Sequence, residues 1–359
     1  MARSYNFSAG PSILPEEVLK EAQAELLDYK GTGMSIMEMS HRGKEYSAVH
    51  DEAIANLKTL LKIPENYSVL FMTGGATTQF SLIPMNLLGA GQSADYINAG
   101  SWGAAAVKDA KKLGKINVVA DTSKEIPTRM PKNSDLKLND DAAYVHITSN
   151  ETIAGTQVKV FPKTKAPLIA DMSSDILSRP LDVSQFGMIY AGAQKNLAPA
   201  GITLVIIRND LAERAPATLP DLFQYRTFIA ENSLKNTVPT FPVYMLLLVT
   251  RWLMAKGGLE GIQKINEAKA AKLYAAIDAS SFYKGTAVPE DRSPMNVTFR
   301  LPTEELEETF IKAASKLGMT SLKGHRSVGG IRASIYNAFP EAGVDALVSF
   351  MKDFEKKNA

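Results

Sequence analysis

Short apolar runs that alternate with helical stretches restrict this fold more than any other feature of the sequence. The runs fall at Tyr67–Met72, Ala94–Asn98, Ile116–Ala120, Ala143–Thr148, Leu168–Ala170, Met188–Ala191 and Thr203–Ile207. Strands with near-continuous apolar character are those covered on both faces, as in parallel sheets. Between the runs lie helix-period stretches. Glu45–Ile63 keeps Tyr46, Val49, Ala53, Ile54, Leu57, Leu60 and Leu61 on one face, and Pro64 follows as a stop. Thr77–Leu88 and the stretch from Trp102 to Leu113 read the same way. The pattern predicts an α/β fold around a mainly parallel sheet, and ligands of such sheets sit at the carboxyl ends of the strands.

The last hundred residues have a different rhythm. A helix over Leu259–Ala279 is followed by a β-like stretch at Asn296–Arg300. A helix then opens at Thr303, its expected N-cap, and closes at Gly318. A strand at Gly330–Ser334 and a final helix over Gly343–Lys356 complete a smaller α+β unit. Lys256-Gly257-Gly258 is the expected boundary. The most apolar run, Tyr244–Ala255, is about a dozen residues against the roughly 20 that a membrane span needs, and Arg251 interrupts it. It reads as a buried helix.

Composition excludes several classes. Lys+Arg at 40 against Asp+Glu at 38 leaves no basic excess of the kind a nucleic-acid binder shows. With no cysteine there is no disulfide, thiolate nucleophile or cysteine metal site. No metal cluster is expected. The start of the chain has Arg3 but no apolar stretch of signal-peptide type, so a cytoplasmic location is expected.

The chemistry-bearing residues cluster at strand ends. Asp171 follows Leu168-Ile169-Ala170 directly. Lys195 stands just after Met188–Ala191, in Gly192-Ala193-Gln194-Lys195-Asn196. Two short apolar strands belong inside the sheet, which puts acid and lysine at one edge, poorly solvated. An isolated pair of this kind is ordinarily a salt bridge or two solvated loop residues. The functional alternative is a pyridoxal phosphate (PLP) site, which needs a lysine amine to join the aldehyde and an acid facing the pyridine nitrogen. Desolvation helps such a lysine lose its proton. Thr73-Gly74-Gly75-Ala76-Thr77-Thr78 joins a strand to a helix and offers backbone N–H groups and a helix N-terminus to an anion. A Gly-Gly turn alone is weak evidence, but beside Asp171 and Lys195 it is the natural seat for the PLP phosphate.

Several segments together resemble a known family. They are Asn6-Phe7-Ser8-Ala9-Gly10-Pro11, Ser40-His41-Arg42-Gly43-Lys44, Asn150-Glu151-Thr152-Ile153 and the run from Asp171 to Pro180. Tyr190 to Asn196, Asn236-Thr237-Val238-Pro239-Thr240 and the stretch from Gly324 to Gly330 continue the series. In this order they resemble the phosphoserine aminotransferases, within class V of the PLP-dependent aminotransferases, over essentially the whole chain.

The resemblance implies PLP-dependent transferase fold type I, with a seven-stranded, mainly parallel sheet in a large domain. It implies an N-terminal segment over 1–15 packed with the small domain, a large cofactor domain over 16–257 and a small α+β domain over 258–359. It also implies a homodimer with active sites at the subunit interface. The implied reaction converts L-glutamate and 3-phosphohydroxypyruvate to 2-oxoglutarate and O-phospho-L-serine in serine biosynthesis. Action on 3-hydroxy-2-oxo-4-phosphooxybutanoate, in pyridoxine biosynthesis, is compatible with the same pocket.

By the same resemblance, Lys195 joins the cofactor and carries the reaction's proton, and Asp171 pairs with the pyridine nitrogen. Trp102 stacks on the ring and Thr152 binds the ring's 3′-oxygen. Ala76, Thr77 and Gln194 hold the cofactor phosphate, with Asn236 and Thr237 supplied by the partner subunit. Arg332 takes the substrate α-carboxylate, and His41, Arg42, His325 and Arg326 take its phosphate, guanidinium forks suiting both anions. Some branches carry Arg at the position of Thr77, so this chain has one cation fewer at the pocket mouth. A desulfurase of the same fold would need a cysteine. An alanine- or serine-glyoxylate aminotransferase would not need so many cations. A non-catalytic descendant would be expected to lose Lys195 or Asp171, and both are present.

Overall fold

The computed structural model describes residues 3–359. Its centre is a seven-stranded sheet. In chain order the strands are β1 (Tyr67–Met72), β2 (Ser93–Asn98), β3 (Lys115–Asp121), β4 (Val145–Thr148), β5 (Leu168–Asp171), β6 (Met188–Gly192) and β7 (Thr203–Arg208). The spatial order is β1-β7-β6-β5-β4-β2-β3. All neighbouring pairs are parallel except those of β7, which runs antiparallel to both β1 and β6. The fold is thus the mainly parallel α/β architecture that the sequence pattern predicts. The single reversal is not legible in that pattern, because a strand covered on both faces is apolar whichever way it runs.

The near-continuous apolar character has a direct cause. Leu70, Ile169, Tyr190 and Val205 face one core, while Val69, Phe71, Leu168, Ala170, Ile189 and Leu204 face the other. Alternate side chains of one strand point to opposite faces, so a sheet covered on both sides must be apolar at every position. One cover is α1 (Lys44–Leu61) packed with α4 (Thr240–Ala255). Arg251, inside the apolar run, pairs through Nε and Nη2 with both oxygens of Glu52, each at 2.6 Å. Among the described residues no helix is long and apolar enough to cross a membrane. On the other face lie α2 (Gly75–Leu87) and α3 (Ser101–Ala110).

After α4 the chain turns through Gly257, whose φ of 87° lies in the left-handed region, into α5 (Gly258–Asp278). Strands β8 (Asn296–Arg300) and β9 (Ile331–Ser334) pair antiparallel in a separate three-stranded sheet. Helices α6 (Glu304–Lys316) and α7 (Glu341–Asn358) cover it, with Phe299, Phe310, Leu347 and Phe354 in a core of their own. The Thr303 side chain accepts from the Leu306 N–H at the start of α6, as its N-cap position predicts. Tyr5–Asn6 pairs in parallel with Met319–Thr320 as a separate two-stranded sheet, and the Ser334 N–H of β9 reaches the Phe7 carbonyl at 3.3 Å, which ties the N-terminal segment to this second unit. The chain then runs back to the large sheet: the Ser12 N–H donates to the Gln194 carbonyl at 2.9 Å.

Candidate functional site

Strands β1, β2, β4, β5 and β6 point the same way, so the segments leaving them meet at one edge. There a cavity of ≈ 730 Å³ is lined by residues 74–77, Trp102, Thr152, Asp171, Gln194, Lys195, His325 and Arg332, among others. Asp171 is the last residue of β5 and is 5% exposed. Strands β5 and β6 are adjacent and parallel, with Asp171 opposite Tyr190. The turn after β6 carries Lys195 back over the same edge. One oxygen of Asp171 accepts from the N–H and the hydroxyl of Ser173, at 2.9 and 2.6 Å. Burial pushes the Asp171 carboxyl above the usual carboxylate range, against the Ser173 hydrogen bonds and the charge of Lys195. Burial likewise holds the Lys195 ammonium below its usual value, opposed by the charges of Asp171 and Glu151. A lysine so placed is readied to act as a neutral amine.

The anion seat is built by backbone geometry. Gly74, at φ 89°, turns the chain out of β1 and caps α2, whose first residues Gly75, Ala76 and Thr77 line the cavity. A Cβ on Gly74 would stand 2.1 Å from Thr78 Oγ1, so both the turn and the close packing require glycine. The unpaired N–H groups of the α2 N-terminus are free for a phosphate. Thr148 Oγ1, also in the lining, is buried without a partner. Buried polar atoms are nearly always hydrogen-bonded, and an orphan hydroxyl in the wall of this cavity suits a polar ligand. Together with Asp171 and Lys195, these residues fit PLP.

Trp102 opens α3, and its indole lies 5.5 Å from Lys195 Nζ, nitrogen over ring. The indole N–H donates to Thr152 Oγ1 at 2.8 Å, leaving the Thr152 hydroxyl proton available to an acceptor. Behind Trp102 lies Glu151, fully buried, whose carboxylate accepts from the N–H groups of Trp102 and Gly103 at 3.1 and 2.8 Å. Sequence reasoning assigned Glu151 no role. It lies in Asn150-Glu151-Thr152-Ile153, but nothing local marks a glutamate as buried.

On the second sheet, Arg332 in β9 and His325 reach the same cavity. Arg332 Nε is buried without a partner, and burial lowers the guanidinium below its usual value. An unpaired guanidinium in a cavity calls for an anion. His325 Nδ1 is 2.7 Å from the Ser327 hydroxyl.

The other expected residues do not line this cavity in the single chain. His41, half-buried, and Arg42, exposed, stand in the turn before α1, with His41 Nε2 buried and unpartnered. Asn236 is half-buried and Thr237 exposed in the segment before α4, and Arg326 is exposed beside His325.

A family model described as aminotransferase class-V matches residues 4–347. The chain is 55% identical over 356 residues to a phosphoserine aminotransferase of Niallia circulans, covering 99% of this chain and 98% of that protein. It is similar to the solved phosphoserine aminotransferase from Bacillus circulans subsp. alkalophilus, with a TM-score of 0.98 and 54% identity over 99% of each chain. It is also similar to a PLP-bound phosphoserine aminotransferase from Trichomonas vaginalis, with a TM-score of 0.94 and 41% identity, over 98% of this chain and 100% of that one.

Proposed function

The chain belongs to the class-V aminotransferase family, and from that premise we infer that it converts L-glutamate and 3-phosphohydroxypyruvate to 2-oxoglutarate and O-phospho-L-serine, a step of serine biosynthesis. The observation that carries this reading is one cavity holding Lys195 and Asp171 on the large sheet and the unpaired guanidinium of Arg332 on the small one.

Bound PLP supplies an electron sink for the bonds at the substrate α-carbon. The protein does the rest. Lys195 Nζ is the covalent anchor and, once released, takes the α-proton and returns it, as an amine of lowered basicity can. Asp171 keeps a proton on the ring nitrogen, its orientation fixed by Ser173. Ala76 and Thr77 at the α2 N-terminus, with Gln194, hold the phosphate, Thr152 holds the 3′-oxygen and Trp102 covers the ring. Arg332 clamps the α-carboxylate and thereby sets which substrate bond faces Lys195. His325 with Arg326, and His41 with Arg42, receive the substrate phosphate.

Asn236 and Thr237 complete the cofactor site from a partner subunit, so the working unit is a homodimer. Thr237 is exposed and Asn236 only half-buried in the single chain, which agrees with a role across an interface. Bound PLP absorbs in the visible. Adding O-phospho-L-serine to the holoenzyme is expected to change that band, and 2-oxoglutarate to restore it. L-Serine and L-alanine are expected to have little effect. An equal response to the unphosphorylated amino acids overturns the substrate, and no PLP band at all overturns the cofactor site.

A further inference from the structure

We propose that Glu151 is a positioning residue for this reaction: its buried carboxylate clamps the first turn of α3 and so fixes the indole of Trp102 above Lys195. The inference rests on the reading of the cavity as the cofactor site.

Trp102 is 36% exposed, so core packing does not hold it. Its tethers are polar and come from two consecutive residues. Glu151 takes the Trp102 N–H on one oxygen and the Gly103 N–H on the other, while Thr152 Oγ1 takes the indole N–H. Backbone and ring are therefore both referred to one short hairpin. That hairpin is itself anchored. The Gly155 N–H donates to the Glu151 carbonyl at 2.8 Å. Asn150 Nδ2 donates to Ser174 Oγ and Asn296 Oδ1, both at 2.8 Å.

The fit at the clamp is close. A Cβ on Gly100 would stand 2.6 Å from Glu151 Cδ, and one on Gly103 would stand 3.4 Å from Glu151 Oε1. Gly100 thus leaves room for this carboxylate, whereas a Cβ on Gly103 would meet Asn98 Oδ1 first, at 2.9 Å. A carboxylate at a helix N-terminus is also the charge that the free N–H groups favour. No acidic residue of α3's own first turn supplies it.

The clamp carries a titration. Burial pushes Glu151 up to about 7, opposed by the Gly103 and Trp102 N–H groups. The charges facing it are Asp171 on β5, which raises it further, and Lys195 after β6, which lowers it. Protonation converts one accepting oxygen to a hydroxyl and loosens one of the two N–H contacts. Trp102 is therefore held most firmly when Glu151 is ionised.

The test uses Trp252→Phe, which leaves Trp102 as the sole tryptophan, with Glu151→Gln added; the chain has 2 tryptophans. Glutamine keeps the shape but only one accepting oxygen. Loss of one charge-assisted hydrogen bond predicts PLP dissociation about tenfold tighter in the parent than in the variant, and kcat down about tenfold with both KM values within about twofold. Acrylamide quenching of Trp102 in the cofactor-free protein is expected to rise in the variant. In the parent it should change through a transition near pH 7 that the variant lacks. A fall in melting temperature with quenching, PLP dissociation and kcat unchanged would assign Glu151 a purely structural role and overturn the proposal. Quenching reads the clamp without cofactor or substrate. A parent that binds no PLP would therefore overturn the cofactor reading, while a parent and variant that quench alike would overturn the clamp.

Discussion

His146 gives a prediction whose size follows from its surroundings. It sits in the middle of β4, 1% exposed. Its ring is stacked on Tyr96 at 4.7 Å, and its Nε2 is 2.8 Å from the Tyr190 hydroxyl. Nδ1 is buried without a partner. Burial lowers the imidazole from 6.5 to about 3. Above the unfolded value the ring is neutral in both states and folding is indifferent to it. As pH falls below 6.5, the unfolded chain takes up a proton that the folded chain refuses until about 3. Stability is therefore lost on the acid side. Between about pH 7.5 and about pH 4.5 the loss from this one ring is roughly 2–3 kcal/mol, from about 1.4 kcal/mol per unit of difference.

His146→Gln removes the titration and can keep a hydrogen bond to Tyr190. It should be slightly less stable than the parent at the higher pH. Its stability should fall less steeply, by roughly 2–3 kcal/mol over that interval. Urea unfolding of both cofactor-free proteins, followed by tryptophan fluorescence at the two pH values, measures the difference. Parallel losses, agreeing within about 0.5 kcal/mol, would mean that His146 titrates normally and would refute the reasoning.

Four other substitutions probe the site directly. Gly74→Ala forces a side chain into the left-handed region and against Thr78, and strain of about 1–2 kcal/mol predicts PLP binding weakened about tenfold; a PLP titration with parental affinity would contradict the seat at α2. Arg332→Lys loses the planar fork, so kcat/KM for both substrates should fall about a hundredfold while PLP affinity stays within about twofold, as steady-state kinetics and a PLP titration would show. Lys195→Ala should bind PLP without a covalent bond and turn over negligibly, and Asn236→Ala should bind PLP weakly. Mixed dimers of these two variants should regain activity, because one site then draws Lys195 and Asn236 from different subunits, both intact; an inactive mixture would put Asn236 and Lys195 in the same subunit's site.

The sequence by itself determined the elements and much of the chemistry. Strand β1 and strand β8 have the limits read from the apolar runs, Thr303 caps α6, and Gly318 follows that helix at φ 79°. These features are set by near-neighbour sterics and side-chain period, which a linear reading contains. Asp171 and Lys195 were legible for the same reason. Asp171 ends one short interior strand and Lys195 follows another, and the two strands prove adjacent.

Tertiary structure decided which segments distant in the chain share a site. Arg332 reaches the cavity of Lys195 only because the second sheet folds back on the first. Glu151 becomes a buried clamp only because β2 and β4 are neighbours, which brings the start of α3 against the segment leaving β4. The strand order and the reversal of β7 are not local properties, since every covered strand looks alike in sequence. The folding of one chain leaves Arg42 and Thr237 at its surface. Their proposed contacts depend on a second chain, and a surface residue is placed in a site by what docks against it, which neither the periodicity nor the fold of one subunit encodes.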